Sequence, residues 1–203
     1  LIGMSQPGLT YFEPAFADEL AVILRWAFVH LQEPAGGSVY LRLSTRAVAQ
    51  PERTPDEALT RAILDGGYWL KEPAPGAELA IVYTGVVAPE AKAALEAVAE
   101  DVPGAGLLAV TSADRLHAGW SASGSDSPIG RLLAPLAPDA ALVTVLDGHP
   151  ATLSWLGAVR GQRVRPLGVE KFGQSADIPD LYRVLGIDTD AILDACAAAC
   201  LGR

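Results

Sequence analysis

From residue 77 onward, short apolar segments alternate with segments of helical pattern, and this order allows few folds. The predicted strands are 79–83, 106–111, 141–146 and 164–169. The predicted helices are 89–99, 129–136, 152–159, 180–185 and 189–201, with a long loop before the second. Strands that alternate with helices form βαβ units, in which a mostly parallel sheet is covered on both faces. We therefore predict the α/β fold class for this part of the chain.

The first part of the chain carries too few elements for a core of its own. Apolar residues recur at helical spacing over 15–31, and 38–44 alternates as a strand does. One helix and one strand are too small a unit to bury an apolar face alone. The irregular segment 45–55 is predicted to be a linker, followed by a short helix to residue 64 and a short strand at 68–71.

The charge and the hydropathy of the chain exclude several functions. The net charge is −9 and the isoelectric point is about 4.7, so the chain repels phosphate backbones and we predict no nucleic-acid partner. The longest apolar stretch, near 20–31, is interrupted by Arg25 and His30 and falls short of the roughly 18 residues that span a membrane. We predict no membrane contact. Because no secretory signal is visible, we predict a cytoplasmic protein.

Polar side chains stand where the predicted strands end, the edge at which parallel sheets carry functional groups. Asp147 and His149 follow the strand 141–146, and a carboxylate beside a histidine can perform acid–base catalysis near neutral pH. We take these two as candidate catalytic residues. The same sequence, Asp-Gly-His-Pro, is also typical of a turn before a helix, so both interpretations stay open. His117 and His30 are interpreted as a surface-loop residue and a helix-end residue.

No motif in the residues themselves identifies a reaction. The sequence has no glycine-rich dinucleotide fingerprint after a strand, no Walker loop and no Gly-x-Ser-x-Gly elbow. Its two cysteines, Cys196 and Cys200, lie on one predicted helix face without further metal ligands nearby. We interpret them as idle thiols in a reducing compartment.

Three segments nevertheless resemble transketolase-like thiamine diphosphate enzymes, in matching order across nearly the whole chain. They are PGLTYFEPAFADEL at 7–20, GSVYLRLSTR at 37–46 and GVEKFGQSADIPDLYRVLG at 168–186. Within the third segment, Phe172-Gly173-x-Ser175 is the most specific part. The sequences Tyr11-Phe-Glu-Pro and Leu-Gly-Val-Glu-Lys-Phe-Gly are similar to the decarboxylating component of single-chain pyruvate dehydrogenases rather than to transketolases.

The resemblance implies a layout and an activity. The fold would be α/β, with a mixed, mainly parallel sheet and helices on both faces, as in transketolase carboxyl-terminal domains. Residues 1–48 would be the tail of a pyrimidine-binding domain, 49–74 a linker with a short helix, and 75–203 the carboxyl-terminal domain. The chain opens at Leu1 within a loop-like segment. We therefore expect a carboxyl-terminal fragment of a pyruvate (2-oxoacid) dehydrogenase, serving dimerisation, completing the active site, and inactive alone.

The same resemblance implies cofactors and partners for the parent enzyme. The parent would use thiamine diphosphate and Mg, whereas this chain would hold no cofactor and no metal. The family's catalytic glutamate and its Gly-Asp-Gly…Asn metal motif lie upstream of the matching segments, and Glu13 and Glu19 fall in the wrong segment for that role. The implied partners are a second copy, in a homodimer, and the dihydrolipoyl acyltransferase component.

Arg46 is a candidate substrate-binding residue on the same resemblance. It follows the last strand of the pyrimidine-binding part, where transketolases place an arginine that binds substrate phosphate. Pyruvate has no phosphate, so a surface or interdomain ion pair is the alternative. Two other functions stay open: a transketolase-like ketol transferase fragment, and a standalone non-catalytic interaction module of the same fold.

Overall fold

The computed structural model describes residues 5–171 and 173–201. The strands are β1 (Leu9–Phe12), β2 (Ser38–Leu41), β3 (Gly67–Lys71), β4 (Ala77–Thr84), β5 (Gly106–Val110), β6 (Leu136–Leu146) and β7 (Arg163–Leu167). The α-helices are α1 (Ala17–His30), α2 (Glu57–Asp65), α3 (Ala88–Val98), α4 (Ala113–Ser123), α5 (Pro128–Leu132), α6 (Ala151–Ser154), α7 (Gly157–Arg160), α8 (Ile178–Leu185) and α9 (Thr189–Leu201). Short 3-10 turns at Gly85–Val87 and Gly124–Asp126 precede α3 and α5.

Five strands form one sheet in the order β3-β5-β4-β6-β7. Only the pairing of β3 with β5 is antiparallel in this sheet, which confirms the predicted mixed, mainly parallel arrangement. Successive residues of β4 point to opposite faces, as a pleated strand requires. Ile81 packs in one core cluster with α3 and α9, whereas Val82 packs in another with α4 and α5. Helices therefore cover both faces of the sheet.

The first part of the chain forms a second sheet of two strands. β1 and β2 run parallel, with Leu9 opposite Ser38, and α1 connects them. Phe12 and Ile23, from β1 and α1, are buried in the same core cluster as Ile81. Because two strands and one helix cannot form a core alone, this unit takes its core from one face of the five-stranded sheet.

Several elements differ from the sequence prediction; for example, the predicted helix 152–159 is divided into α6 and α7. The expected long loop before residue 129 contains α4, which begins after Ser112, whose hydroxyl accepts the Arg115 N–H at 3.4 Å. Residue 136, predicted to end a helix, begins β6. β1 was not predicted, because its four residues run directly into the Glu-Pro sequence that precedes α1.

Within the described residues, no helix combines the length and the apolar character that crossing a membrane requires. Both cysteines are free; Cys196 is buried and Cys200 is partly exposed. Burial raises the pKa of the Cys196 thiol to about 12, so it stays protonated near neutral pH. For Cys196, this is in line with the interpretation as an idle thiol. Phe172, in the most specific part of the closing motif, lies outside the described residues.

Candidate functional site

The five-stranded sheet changes its direction of winding between β4 and β6. From β4 the chain passes through α3 to β5 on one side, whereas from β6 it passes through α6 and α7 to β7 on the other. The connections leaving the two adjacent strands therefore diverge and leave a crevice at their carboxyl ends. In open α/β sheets, ligands bind at this point.

The first part of the chain covers the crevice at the carboxyl edge of the five-stranded sheet. Glu13 follows β1 directly and Arg42 follows β2 directly, so the carboxyl ends of both small-sheet strands meet the carboxyl edge of the large sheet. The N–H of Glu13 donates to the carbonyl of Thr111 at 2.8 Å, which holds β1 at this edge. The resulting cavity has a volume of about 290 Å³. Its lining residues are Glu13, Pro14, Arg42, Leu43, Ser44, Thr45, Gly85, Val86 and Asp147.

Glu13 is the most buried charged group of this crevice, with 3% of its surface exposed. Its carboxylate accepts hydrogen bonds from the Tyr11 hydroxyl and the Arg42 guanidinium. Burial raises the pKa of Glu13 above its ordinary value of 4.5, although Arg42 and Tyr11 oppose the shift. Gly85 leaves room for this carboxylate, because a Cβ at residue 85 would lie 2.6 Å from its Oε1 atom.

Arg42 bridges the two parts of the molecule. One of its terminal nitrogens donates to Glu13, and the other lies 3.8 Å from the Asp147 carboxylate at the end of β6. Burial lowers the pKa of Arg42, but Glu13 and Asp147 outweigh it and raise the pKa above its ordinary value. Arg42 therefore stays charged. Asp147 keeps 35% of its side chain exposed, and its contact with Arg42 is longer than a hydrogen bond.

The structure gives the predicted pair Asp147 and His149 different surroundings. Asp147 lines the crevice and faces Arg42. His149 is exposed, and its Nδ1 accepts the N–H of Ala151 at 3.2 Å, at the start of α6. That contact is the one a turn before a helix provides, which is the second interpretation of this sequence.

Arg46 lies beside the crevice and is engaged with α3. Its guanidinium donates to both carboxylate oxygens of Glu90, at 2.7 and 3.0 Å, and to the carbonyl of Val86 at 3.3 Å. The central carbon of this guanidinium, Cζ, also lies 5.3 Å from the ring centre of Tyr182. The observed contacts are those of an ion pair between the two parts of the chain.

Sequence reasoning missed Glu13 and Arg42 as parts of a site. A charge at a strand's carboxyl end is a usable signal, but Arg42 lay inside the predicted strand 38–44, whereas the observed β2 ends at Leu41. Because β1 was not predicted, Glu13 was assigned to the approach of a helix rather than to the end of a strand.

The crevice does not fit thiamine diphosphate, and the described residues do not fit its metal. Within 5–171 and 173–201, no group of three or more histidine, cysteine, aspartate or glutamate side chains could hold a metal ion. The crevice also presents the carboxylates of Glu13 and Asp147 against the single guanidinium of Arg42. A diphosphate would meet two like charges there, which disfavours its binding.

Comparison with known proteins shows the fold alone. No protein-family model matches the chain, and no curated protein sequence matches it. Among solved structures, transketolase from Leishmania mexicana is 18% identical, with a TM-score of 0.69, over 94% of this chain and 25% of its own. A Pichia stipitis transketolase in complex with sedoheptulose 7-phosphate is also 18% identical, with a TM-score of 0.70, over 97% and 26%. A split-gene transketolase, described as an inactive beta4 tetramer, is 20% identical, with a TM-score of 0.62, over 97% and 59%.

The chain spans about a quarter of the length of the first two transketolases. The alignments include almost all of this chain, so they cover both the two-stranded and the five-stranded sheet. The protein therefore has a transketolase-like fold. The part of that fold that it covers ends with a mixed, mainly parallel sheet flanked by helices.

Proposed function

We propose that the chain is the carboxyl-terminal part of a thiamine diphosphate-dependent pyruvate dehydrogenase, in its decarboxylating component. The observation that carries the proposal is the alignment of both sheets with transketolases over as much as 97% of the chain. Within that fold, the Tyr11-Phe-Glu-Pro segment and the closing segment at 168–186 favour the pyruvate dehydrogenase branch. In this layout residues 1–48 are the tail of a pyrimidine-binding domain, 49–74 a linker and 75–203 the carboxyl-terminal domain.

The proposed role of this chain is to support an active site that is built elsewhere in the parent. Its crevice does not fit the cofactor and its described residues do not fit the metal, so the groups that bind thiamine diphosphate and Mg are proposed to lie in the preceding part. The two-stranded sheet would extend that part, and the five-stranded sheet would fix its position through Glu13, Arg42 and Arg46. The chain alone is proposed to be inactive.

The remaining assignments are proposals on the same basis. Asp147 and His149 are the candidates for proton transfer, and Arg46 is the candidate for substrate binding. The parent would be a cytoplasmic homodimer that delivers the acyl group to a dihydrolipoyl acyltransferase.

A transketolase-like ketol transferase is the second candidate, because the solved structures with this fold that we compared are transketolases. In that case Arg46 would exchange Glu90 for a substrate phosphate. A standalone non-catalytic interaction module is the third candidate, since the five-stranded sheet has a packed core on both of its faces.

The parent enzyme decides between these functions. We expect the full-length protein, with thiamine diphosphate and Mg, to decarboxylate pyruvate and to acylate lipoamide, and not to transfer two-carbon units between sugar phosphates. Ketol transfer without pyruvate turnover would replace the first proposal by the second. Calorimetric titration of the 203-residue chain with thiamine diphosphate and Mg should show no binding. Tight binding would refute the proposal that the cofactor-binding groups lie in the preceding part of the parent.

A further inference from the structure

We propose that the crevice between β4 and β6 is a binding site for a small primary ammonium compound, held by Asp147. This inference goes beyond the proposed function, because it concerns a ligand other than the cofactor or the substrate. It also holds whichever parent reaction is correct.

The position of the crevice favours a ligand. It lies at the carboxyl ends of two adjacent parallel strands whose connections diverge, the place where such sheets bind small molecules. Its volume of about 290 Å³ is near the lower end of the usual range for ligand pockets, roughly 300–1,000 Å³. The size therefore suits a small metabolite and not a nucleotide.

The charges of the crevice select the sign of the ligand. Two acidic side chains, Glu13 and Asp147, face one guanidinium, Arg42, so the lining has one more acidic than basic group. The whole chain carries a net charge of −9, which adds to the negative potential. A cation is therefore attracted and a simple anion repelled.

The hydrogen bonds of the crevice select an N–H donor. Glu13 is already engaged by the Tyr11 hydroxyl and by Arg42. Asp147 is only approached, at 3.8 Å by Arg42, and its side chain is 35% exposed, so its oxygens can still accept hydrogen bonds. An ammonium group carries donors that a carboxylate accepts strongly, whereas a quaternary amine carries none. Ser44 and Thr45, whose side chains carry hydroxyl groups, line the same cavity and suit a ligand that also carries a hydroxyl.

Ethanolamine and choline form a matched pair of probes for this site. Both carry one positive charge and one hydroxyl, but only ethanolamine has N–H donors. We expect ethanolamine, added to the 203-residue chain at constant ionic strength, to shift the backbone amide NMR signals of Gly85 and Gly148 saturably. Choline and sodium acetate should not shift those signals saturably. Equal saturation by choline would reduce the effect to simple charge attraction, and saturation by acetate would show an anion site; either result overturns the proposal.

The Asp147→Asn variant tests the named residue. It keeps the shape of the side chain and removes its charge, so ethanolamine affinity should fall at least about tenfold. Asp139→Asn is the matched control, because Asp139 is exposed at the opposite end of the same strand, β6, and its loss should leave the affinity unchanged. Unchanged affinity in Asp147→Asn overturns the proposal. If that variant does not fold, the comparison of ethanolamine with choline on the unaltered chain still decides the matter.

Discussion

At the scale of single residues, Gly85 packs closely against Glu13 in the crevice. Gly85 has a φ of +65°, and its missing side chain leaves the space that the Glu13 carboxylate occupies. Gly161 offers a comparison, since its φ is +81° but no atom lies within 4 Å of the position its Cβ would take. An alanine at residue 161 therefore suffers only the backbone strain, whereas an alanine at residue 85 also displaces Glu13.

We predict that Gly161→Ala lowers the free energy of unfolding by about 1–2 kcal/mol, the cost of a left-handed conformation. Gly85→Ala should cost at least about 1 kcal/mol more, because overpacking is added to that strain. Urea unfolding of both variants measures the difference. Equal losses in the two variants would mean that the Glu13 carboxylate moves away from residue 85 without cost.

The raised pKa of Glu13 predicts a dependence of stability on pH. The folded chain binds the Glu13 proton more tightly than the unfolded chain does. In the unfolded chain Glu13 has its ordinary pKa of 4.5. As the pH falls through the raised pKa toward 4.5, the folded state takes up a proton that the unfolded state does not, so the contribution of Glu13 to stability increases. In Glu13→Gln this gain is absent. The stability of the unaltered chain minus that of the variant should therefore rise as the pH falls.

Denaturant unfolding between about pH 7.5 and pH 4.5 measures this difference. The buried Glu19, whose pKa burial also raises, is present in both proteins and largely cancels. Glu96→Gln, at an exposed position on α3, serves as the control and should leave the pH profile unchanged. Parallel profiles for Glu13→Gln and the unaltered chain would show that Glu13 titrates normally.

At the scale of elements, the sequence predicts strands well where burial is continuous. β4, β5 and the second half of β6, from Ala140 to Leu146, are almost fully buried, and each was predicted from a mainly apolar run. α4 was missed because its core contacts are few: Ala113 and Leu116 are its buried apolar residues, and Gly119 interrupts the pattern. Its start is instead set by the Ser112 cap and by contacts with β1, such as the bond from the Ser112 hydroxyl to the Tyr11 carbonyl.

The site was less predictable than the fold for a related reason. β1 and β2 pair in parallel across α1, with Phe12 opposite Leu41, and no local pattern announces that pairing. Only this pairing brings Glu13 and Arg42 together over Asp147. Asp147 could be predicted because it directly follows a predicted strand. Glu13 and Arg42 could not, because their positions depend on contacts between residues that are distant in the chain.

The strength of the contact between Arg46 and Glu90 tests the two interpretations of Arg46. The two side chains are 21% and 14% exposed, and the pair is bidentate. We predict a coupling free energy of about 1 kcal/mol between Arg46→Gln and Glu90→Gln in a double-mutant cycle, since such a partly buried pair is stronger than a surface ion pair. Urea unfolding of the four proteins gives the value. A coupling near zero would leave Arg46 free for a substrate.

At the scale of the whole molecule, the described residues divide between a covered and an uncovered part. The five-stranded sheet carries helices on both faces, whereas the two-stranded sheet and α1 are covered on one side only. Of the eight large hydrophobic side chains exposed within the described residues, five belong to α1, β2 or the residue or two after them. These five are Phe28, Val29, Leu31, Tyr40 and Leu43. Apolar surface of this kind marks an interaction site or an aggregation hazard.

The exposed apolar residues of the first part predict self-association of the isolated chain. Phe28 and Leu43 are 68% and 54% exposed, and in the proposed parent the preceding part of the pyrimidine-binding domain would cover them. Without that cover, we expect the sedimentation coefficient of the 203-residue chain to rise with concentration, despite its net charge of −9. Phe28→Lys and Leu43→Lys should reduce the association and change the free energy of unfolding by no more than about 0.5 kcal/mol, because both positions are on the surface.

Val184→Lys is the control for added charge and lost apolar area. Val184 is 68% exposed on α8, outside the uncovered part, so its replacement should leave the association unchanged. A monomer at all concentrations would show that the first part needs no cover, which would favour the standalone module over the fragment. An equal effect of Val184→Lys would show that the association depends on charge and not on the uncovered surface of α1 and β2.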